Sequence, residues 1–212
     1  MYNLVLYGGT GQAKVIHSIL PNDVKVIAII DDTPNLPSPI QDVPIFCGLD
    51  NFINFYKTLQ EKCYFLVTIG NPYGKARQEI SNALIELGLV SYSCISEKSV
   101  VYSTNIGNGI QIHPGSIIMT NVTIGDYCIL NTLSLVEHDC ILENGVEIGP
   151  SATVAGEVYI EENTWIGAGA VILDKLHIGK NVIVGAGAVV TKDIPDSVVV
   201  VGNPAKILKE NK

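Results

Sequence analysis

Residues 131–172 read NTLSLVEHDCILENGVEIGPSATVAGEVYIEENTWIGAGAVI, and a large aliphatic side chain returns every sixth position: Val136, Leu142, Ile148, Val154, Ile160, Ile166 and Ile172. The series runs on without a miss in both directions, back through Leu130, Ile124, Ile118, Ile112 and Ile106 to Val100, and forward through Ile178 and Val184 to Val190. Four residues after members of this row stands a second, mostly small one: Ser116, Cys128, Ser134, Cys140, Ala152, Thr164, Ala170, Val182 and Ala188. A fixed short period marks stacked units that each touch only their neighbours, so both rows are expected to face one continuous core. Gly often follows the aliphatic residue, at 107, 125, 149, 167, 179 and 185. It is expected at tight corners, where the chain turns without a side chain.

Hexads of this kind resemble the parallel β-helix of the hexapeptide acyltransferases. The resemblance implies triangular coils of three hexads, wound left-handed against the usual preference for right-handed crossovers. Coils stacked at strand spacing would make residues 100–190 a prism of about five coils, roughly 24 Å tall.

The pattern before residue 100 is different. Aliphatic runs at Leu4–Tyr7, Val24–Ile30 and Tyr64–Ile69 read as buried strands. Helical spacing appears between them at Gly11–Leu20 and Gly74–Leu87, the second stopped by Gly88. This predicts a Rossmann-like α/β domain over residues 1–95, followed by the β-helix over 96–212 with a C-terminal cap. About 95 residues hold one mononucleotide-binding half, and the GxGxxG register is absent, so a dinucleotide reductase is excluded.

The 212 residues are 47% hydrophobic and 16% charged, which fits a chain with a large core rather than a disordered one. No apolar run reaches the ~20 residues of a membrane span, and the start MYNLVLYGG has no signal-peptide pattern, so a cytoplasmic protein is expected. A net charge of −8 has the wrong sign for nucleic acid. The five Cys form no CxxC pair and read as reduced core residues rather than disulfides or a metal site. Arg77 is the only arginine, so anionic ligands are expected to be held largely by lysine and backbone N–H groups. For an acyltransferase of the kind the hexads resemble, Lys192, Lys206 and Lys209 are candidates for CoA phosphates, or a solvated basic face.

YGGTGQAK, residues 7–14, joins the first strand to the first helix, where Gly-rich turns bring backbone N–H groups close to phosphate; a merely tight turn would read the same. Asp31 and Asp32 end the second strand about 20 residues beyond those glycines, where an acidic residue reads a ribose or base, or forms a plain turn. The third strand runs into Gly70, so three strand ends meet at the carboxyl edge of the sheet. Among the four histidines, only His138 has acidic residues on both sides; His17, His113 and His177 read as ordinary surface or repeat positions.

Several segments together carry a closer resemblance. YGGTGQAKV, IIDD at 29–32, TIGN at 68–71, NTLSLVEHDC, SATVAGEVYI, IGAGAVI, VGAGAVVTKDIP and VVVGNPAKILK resemble the NeuD/PglD-type sugar acyltransferases over nearly the whole chain. The resemblance implies an acetyl-CoA-dependent N-acetyltransferase. Its acceptor would be the 4-amino group of a nucleotide-linked 4-amino-4,6-dideoxyhexose for surface glycan biosynthesis, with UDP or dTDP ahead of GDP. A sialic acid O-acetyltransferase is the alternative, and a noncatalytic trimeric scaffold a further one. The resemblance also implies a homotrimer with its site between subunits and no metal. His138 becomes the general base and Asp139 the carboxylate that raises its basicity. Acetyl-CoA would lie against Glu147, Gly156, Ala168, Gly169, Gly185 and Ala186, with Gly156 N–H facing the oxyanion. The sugar nucleotide would contact Thr10, Gly11, Gln12, Asp31, Asp32 and Gly70.

Two positions depart from the family pattern. Gln12 stands where the family commonly has His, and keeps hydrogen bonding without titration. Glu147 replaces another common His near the expected thioester. A carboxylate repels the pyrophosphate, so Glu147 is expected beside the neutral pantetheine arm or turned away.

Overall fold

A computed structural model of the chain describes residues 1–59 and 61–211; Lys212, the last residue of the expected second domain, lies outside them. The chain divides into two compact units, the first formed by residues 1–69 and 79–94, the second by residues 70–78 and 95–212. Residues 70–78, which include the start of the third helix, thus group with the repeats.

Before the repeats the order is β1 (Tyr2–Tyr7), α1 (Gly11–Ile19), β2 (Val24–Asp31), β3 (Ile45–Cys47), α2 (Leu49–Tyr56), β4 (Cys63–Val67), α3 (Gly74–Glu86) and β5 (Val90–Ser91), all in the first unit except the start of α3 up to Gln78. The strands form a parallel sheet in the order β3-β2-β1-β4-β5. Buried side chains alternate across it. Leu4 and Leu6 join Ala13 and Ile16 of α1 on one face, while Val5 and Tyr7 join Phe52 of α2 and Leu84 of α3 on the other. Covering both faces explains why the strands are near-continuous apolar runs. The order reverses between β1 and β4, which makes their carboxyl ends the expected ligand crevice of such a sheet.

Helix α2 does not appear in the sequence-based expectation. It is short and aromatic-rich, and tertiary packing holds it: Phe52 is fully buried, with its ring 5.9 Å from Phe46 and 5.7 Å from Tyr56. Burial of that ring is what stabilises so short a helix, at a level where Phe52→Ala would cost about 3–5 kcal/mol.

The repeats of the second unit form three parallel ladders. One pairs Val101, Ile118, Val136, Val154, Ile172 and Val190 in turn. The next pairs Ile106, Ile124, Leu142, Ile160 and Ile178. The third pairs Ile112, Leu130, Ile148, Ile166, Val184 and Val200. The smaller row is buried with them, from Ser116 to Ala188. At the far end Val198–Val201 continues the third ladder and pairs antiparallel with Lys206–Glu210, covering the edge as a cap would.

Two details differ from the sequence pattern. The inward series begins at Val101, not Val100: Val100 is 43% exposed, and Val101 pairs with Ile118 because the step from 101 to 106 is one residue short. The corners are also made elsewhere. Every sixth residue from Gly109 to Gly187, Asn121 and Asp139 among them, has φ between 54° and 74°. The glycines after the aliphatic row serve close approach instead: a Cβ on Gly167 would sit 2.6 Å from Ala186 N and Val184 O of the next coil.

Candidate active site

His138 stands on the corner that follows Leu135–Val136, and Asp139 takes the left-handed position of that corner at φ 59°. Asp tolerates this region because its short polar side chain bonds locally. Asp139 Oδ2 lies 2.8 Å from His138 Nδ1. A carboxylate only accepts, so Nδ1 carries the hydrogen and the lone pair of the neutral ring is on Nε2. The hydrogen bond to Asp139 is the main cause that lifts the imidazole above its ordinary pKa, with Asp139, Glu137 and Glu157 adding through their charge. The same bond, with one from Asn121, holds the Asp139 carboxyl below the usual range.

The next coil returns directly under this pair, where Glu157 N–H donates to His138 O at 2.9 Å. Gly156 lies against the imidazole: a Cβ there would fall 2.7 Å from both Nε2 and Cε1. The preceding coil supplies Asn121, whose Nδ2 donates to Asp139 Oδ1 at 3.0 Å, and Thr120, whose carbonyl accepts from Asp139 N–H at 3.2 Å. Thr120 and Asn121 also line an uncharged cavity of about 300 Å³ with Tyr102, Ser103, Thr104 and Asn105.

Ala168 and Gly169 follow the strand Trp165–Ile166, and Gly185 and Ala186 follow Ile183–Val184. These strands belong to a different ladder from the one before His138. One chain therefore places His138 and Gly156 on one corner and the other four residues on another. Ala168, Gly169 and Ala186 are exposed there, and nothing would meet a Cβ on Gly169 within 4 Å.

Glu147 is buried although its strand neighbour Ile148 is the one in the coil core. It is 3% exposed, and its Oε2 lies 3.3 Å from Arg77 Nη1 while Oε1 accepts from Asn131 Nδ2 at 3.1 Å and Asn71 Nδ2 at 3.4 Å. Arg77 is completed by Tyr127 O and Gly145 O, at 3.0 and 2.8 Å. Burial raises the Glu147 carboxyl, against the pull of Arg77 and the two asparagines. The pair commits the sole arginine to that carboxylate. Gly70 belongs to the same unit, with its Cβ direction 3.9 Å from Glu147 Oε1.

The remaining acceptor candidates lie in the first unit. Gly8, at φ 113°, leaves no room for a side chain, since a Cβ would meet Thr68 O at 2.6 Å. Thr10 and Gly11 are exposed, Gln12 is half-buried, and space around Gly11 is open. Asp31 is occupied by the loop itself, accepting from Gly9 N–H at 2.6 Å and Thr33 N–H at 2.9 Å. Burial opposes its charge, yet these two bonds hold its carboxyl below the ordinary value. Asp32 is exposed and accepts from Tyr7 O–H at 3.0 Å.

His113 is buried, and desolvation pushes its pKa down to about 4, so it stays neutral at pH 7. His177 stacks on Tyr159 and lies 2.7 Å from Glu161 Oε1. Of the cysteines, Cys47 alone is exposed rather than buried. Among the described residues no His, Cys, Asp and Glu group could hold a metal ion, and no helix is long and apolar enough to cross a membrane.

Comparison with known proteins agrees with the fold. Residues 157–192 match the bacterial transferase hexapeptide family (six repeats), and residues 3–84 match the PglD N-terminal domain. PerB from Caulobacter crescentus, solved with CoA and GDP-perosamine, is 33% identical with a TM-score of 0.85 over 97% of this chain and 96% of that one. The acetyltransferase domain of PglB from Neisseria gonorrhoeae, solved with acetyl coenzyme A, is 29% identical with a TM-score of 0.82 over 97% and 98%. The GDP-perosamine N-acetyltransferase of Escherichia coli O157:H7 is 40% identical over 107 residues, which span 50% of this chain and 48% of that protein. The chain belongs to the NeuD/PglD-type sugar acetyltransferase family.

Proposed function

We propose that this protein transfers the acetyl group of acetyl-CoA to the amine of a nucleotide-linked 4-amino-4,6-dideoxyhexose, with His138 as general base. The observation that carries this reading is the His138–Asp139 pair set against Gly156. The neutral amine attacks the thioester carbonyl carbon, and His138 Nε2 takes an amine proton as the C–N bond forms. Asp139 stabilises the imidazolium. The N–H of Gly156 is the donor assigned to the tetrahedral oxyanion. On collapse the C–S bond breaks, the sulfur leaves with the electron pair, and the imidazolium returns the proton to give free CoA thiol.

The nucleotide expected from the sequence shifts. The E. coli and Caulobacter relatives are named for GDP-perosamine, so a GDP-linked acceptor stands ahead of UDP or dTDP. The pantetheine residues Ala168, Gly169, Gly185 and Ala186 occupy a corner that His138 does not share. A second copy whose corner meets the first supplies both halves, which supports a homotrimer with shared sites. The outer column Ile117, Leu135, Thr153, Val171 and Val189 is a mostly apolar surface available for such contact. The relevant experiment is CoA release with GDP-, UDP- and dTDP-linked aminosugars and with sialic acid. Turnover of an aminosugar nucleotide supports the reading; turnover of sialic acid alone replaces it with O-transfer.

A further inference from the structure

We propose that Asn121 is a positioning residue for catalysis, the outer member of an Asn121–Asp139–His138 relay. The inference rests on the assignment of His138 as base and extends it to a residue one coil away. Asp139 and His138 are both about half exposed, with side-chain exposures of 46% and 50%. A single hydrogen bond between side chains so exposed is readily lost to water and to other rotamers. Here each carboxylate oxygen has its own partner: Oδ1 accepts from Asn121 Nδ2 and Oδ2 faces His138 Nδ1. Two tethers from opposite sides define the carboxylate plane, and the imidazole follows it.

The fold makes this possible through its corner geometry. Asn121, Asp139, Glu157 and Lys175 are the left-handed residues of one stacked corner. An amide at 121 reaches the carboxylate at 139, whereas the last step of the four, from 157 to 175, is an ordinary exposed ion pair, Lys175 Nζ to Glu157 Oε1 at 3.7 Å. The charged groups that act on His138 are Asp139, Glu137 and Glu157. All three are carboxylates, and the side chains that hydrogen-bond the Asp139 carboxylate are His138 and Asn121.

Asn121→Gly removes the donor and keeps a residue at ease with positive φ. Asn181→Gly, at φ 54° on another corner, is the matched control for backbone effects. The test is an NMR titration of His138, assigned with His138→Asn, alongside pH–rate profiles. Asn121→Gly is expected to lower the His138 pKa by about half a unit or more as the carboxylate swings out. It moves the acid limb of kcat down with it, reduces plateau kcat about tenfold and leaves KM for acetyl-CoA unchanged. Unchanged titration and limb in Asn121→Gly, or the same shifts in Asn181→Gly, would overturn the relay. Full activity in His138→Asn would instead overturn the base assignment, a separate outcome.

Discussion

The imidazole of His138 lies against the bare backbone of Gly156 one coil further on, so close that a Cβ at 156 would come 2.7 Å from Nε2 and Cε1. The clashing atoms are the far end of a half-exposed side chain, which can swing away, and Gly156 does not require a left-handed backbone. Gly156→Ala is therefore expected to fold with an unchanged Tm while kcat falls roughly 10²-fold, the scale of an ångström of misplacement at a reacting group. Thermal melting and steady-state kinetics on one preparation check both halves.

A base with a raised pKa fixes the sign of the pH dependence. His138 acts only when neutral, and its pKa is lifted first by the hydrogen bond to Asp139. Activity is thus lost as pH falls through a value above the ordinary ~6.5 of histidine. Asp139→Asn removes the carboxylate, so the acid limb is expected to move to lower pH while the plateau rate drops. A pH–rate profile of the two proteins reads both changes.

Arg77 and Glu147 form a buried ion pair at 3.3 Å, each with backbone or amide partners besides. Removing one member leaves an uncompensated charge inside the second unit. Glu147→Ala is expected to lower unfolding free energy by about 3–5 kcal/mol, and Glu147→Gln by less, because an amide still bonds Arg77. Urea unfolding at neutral pH gives the comparison.

The two glycines around the first turn should respond in opposite ways. Gly8→Ala meets the Thr68 carbonyl at φ 113° and is expected to yield little folded protein. Gly11→Ala meets nothing within 4 Å, so it should fold normally and raise KM for the sugar nucleotide without changing KM for acetyl-CoA. Soluble yield and the two KM values decide.

The repeat was legible because one period orders both inward rows, and sequence displays such order directly. The one-residue-short corner before Ile106 was not, since Val100 and Val101 are equally apolar and only the ladder to Ile118 separates them. Helix α2 escaped because aromatic packing around Phe52, rather than a long amphipathic pattern, holds it. His138 and Asp139 are adjacent in sequence and could be read there. Arg77 is 70 residues from Glu147, and Asn121 stands a whole coil from Asp139, so only the stacking of coils brings these partners together.

The most direct measurement is the rate of CoA thiol release from acetyl-CoA with GDP-perosamine, for the wild type and for His138→Ala. The account predicts turnover that falls roughly 10²–10⁴-fold in the variant while the fold and acetyl-CoA binding persist. Equal rates in the two proteins would contradict the assignment of His138 as the base.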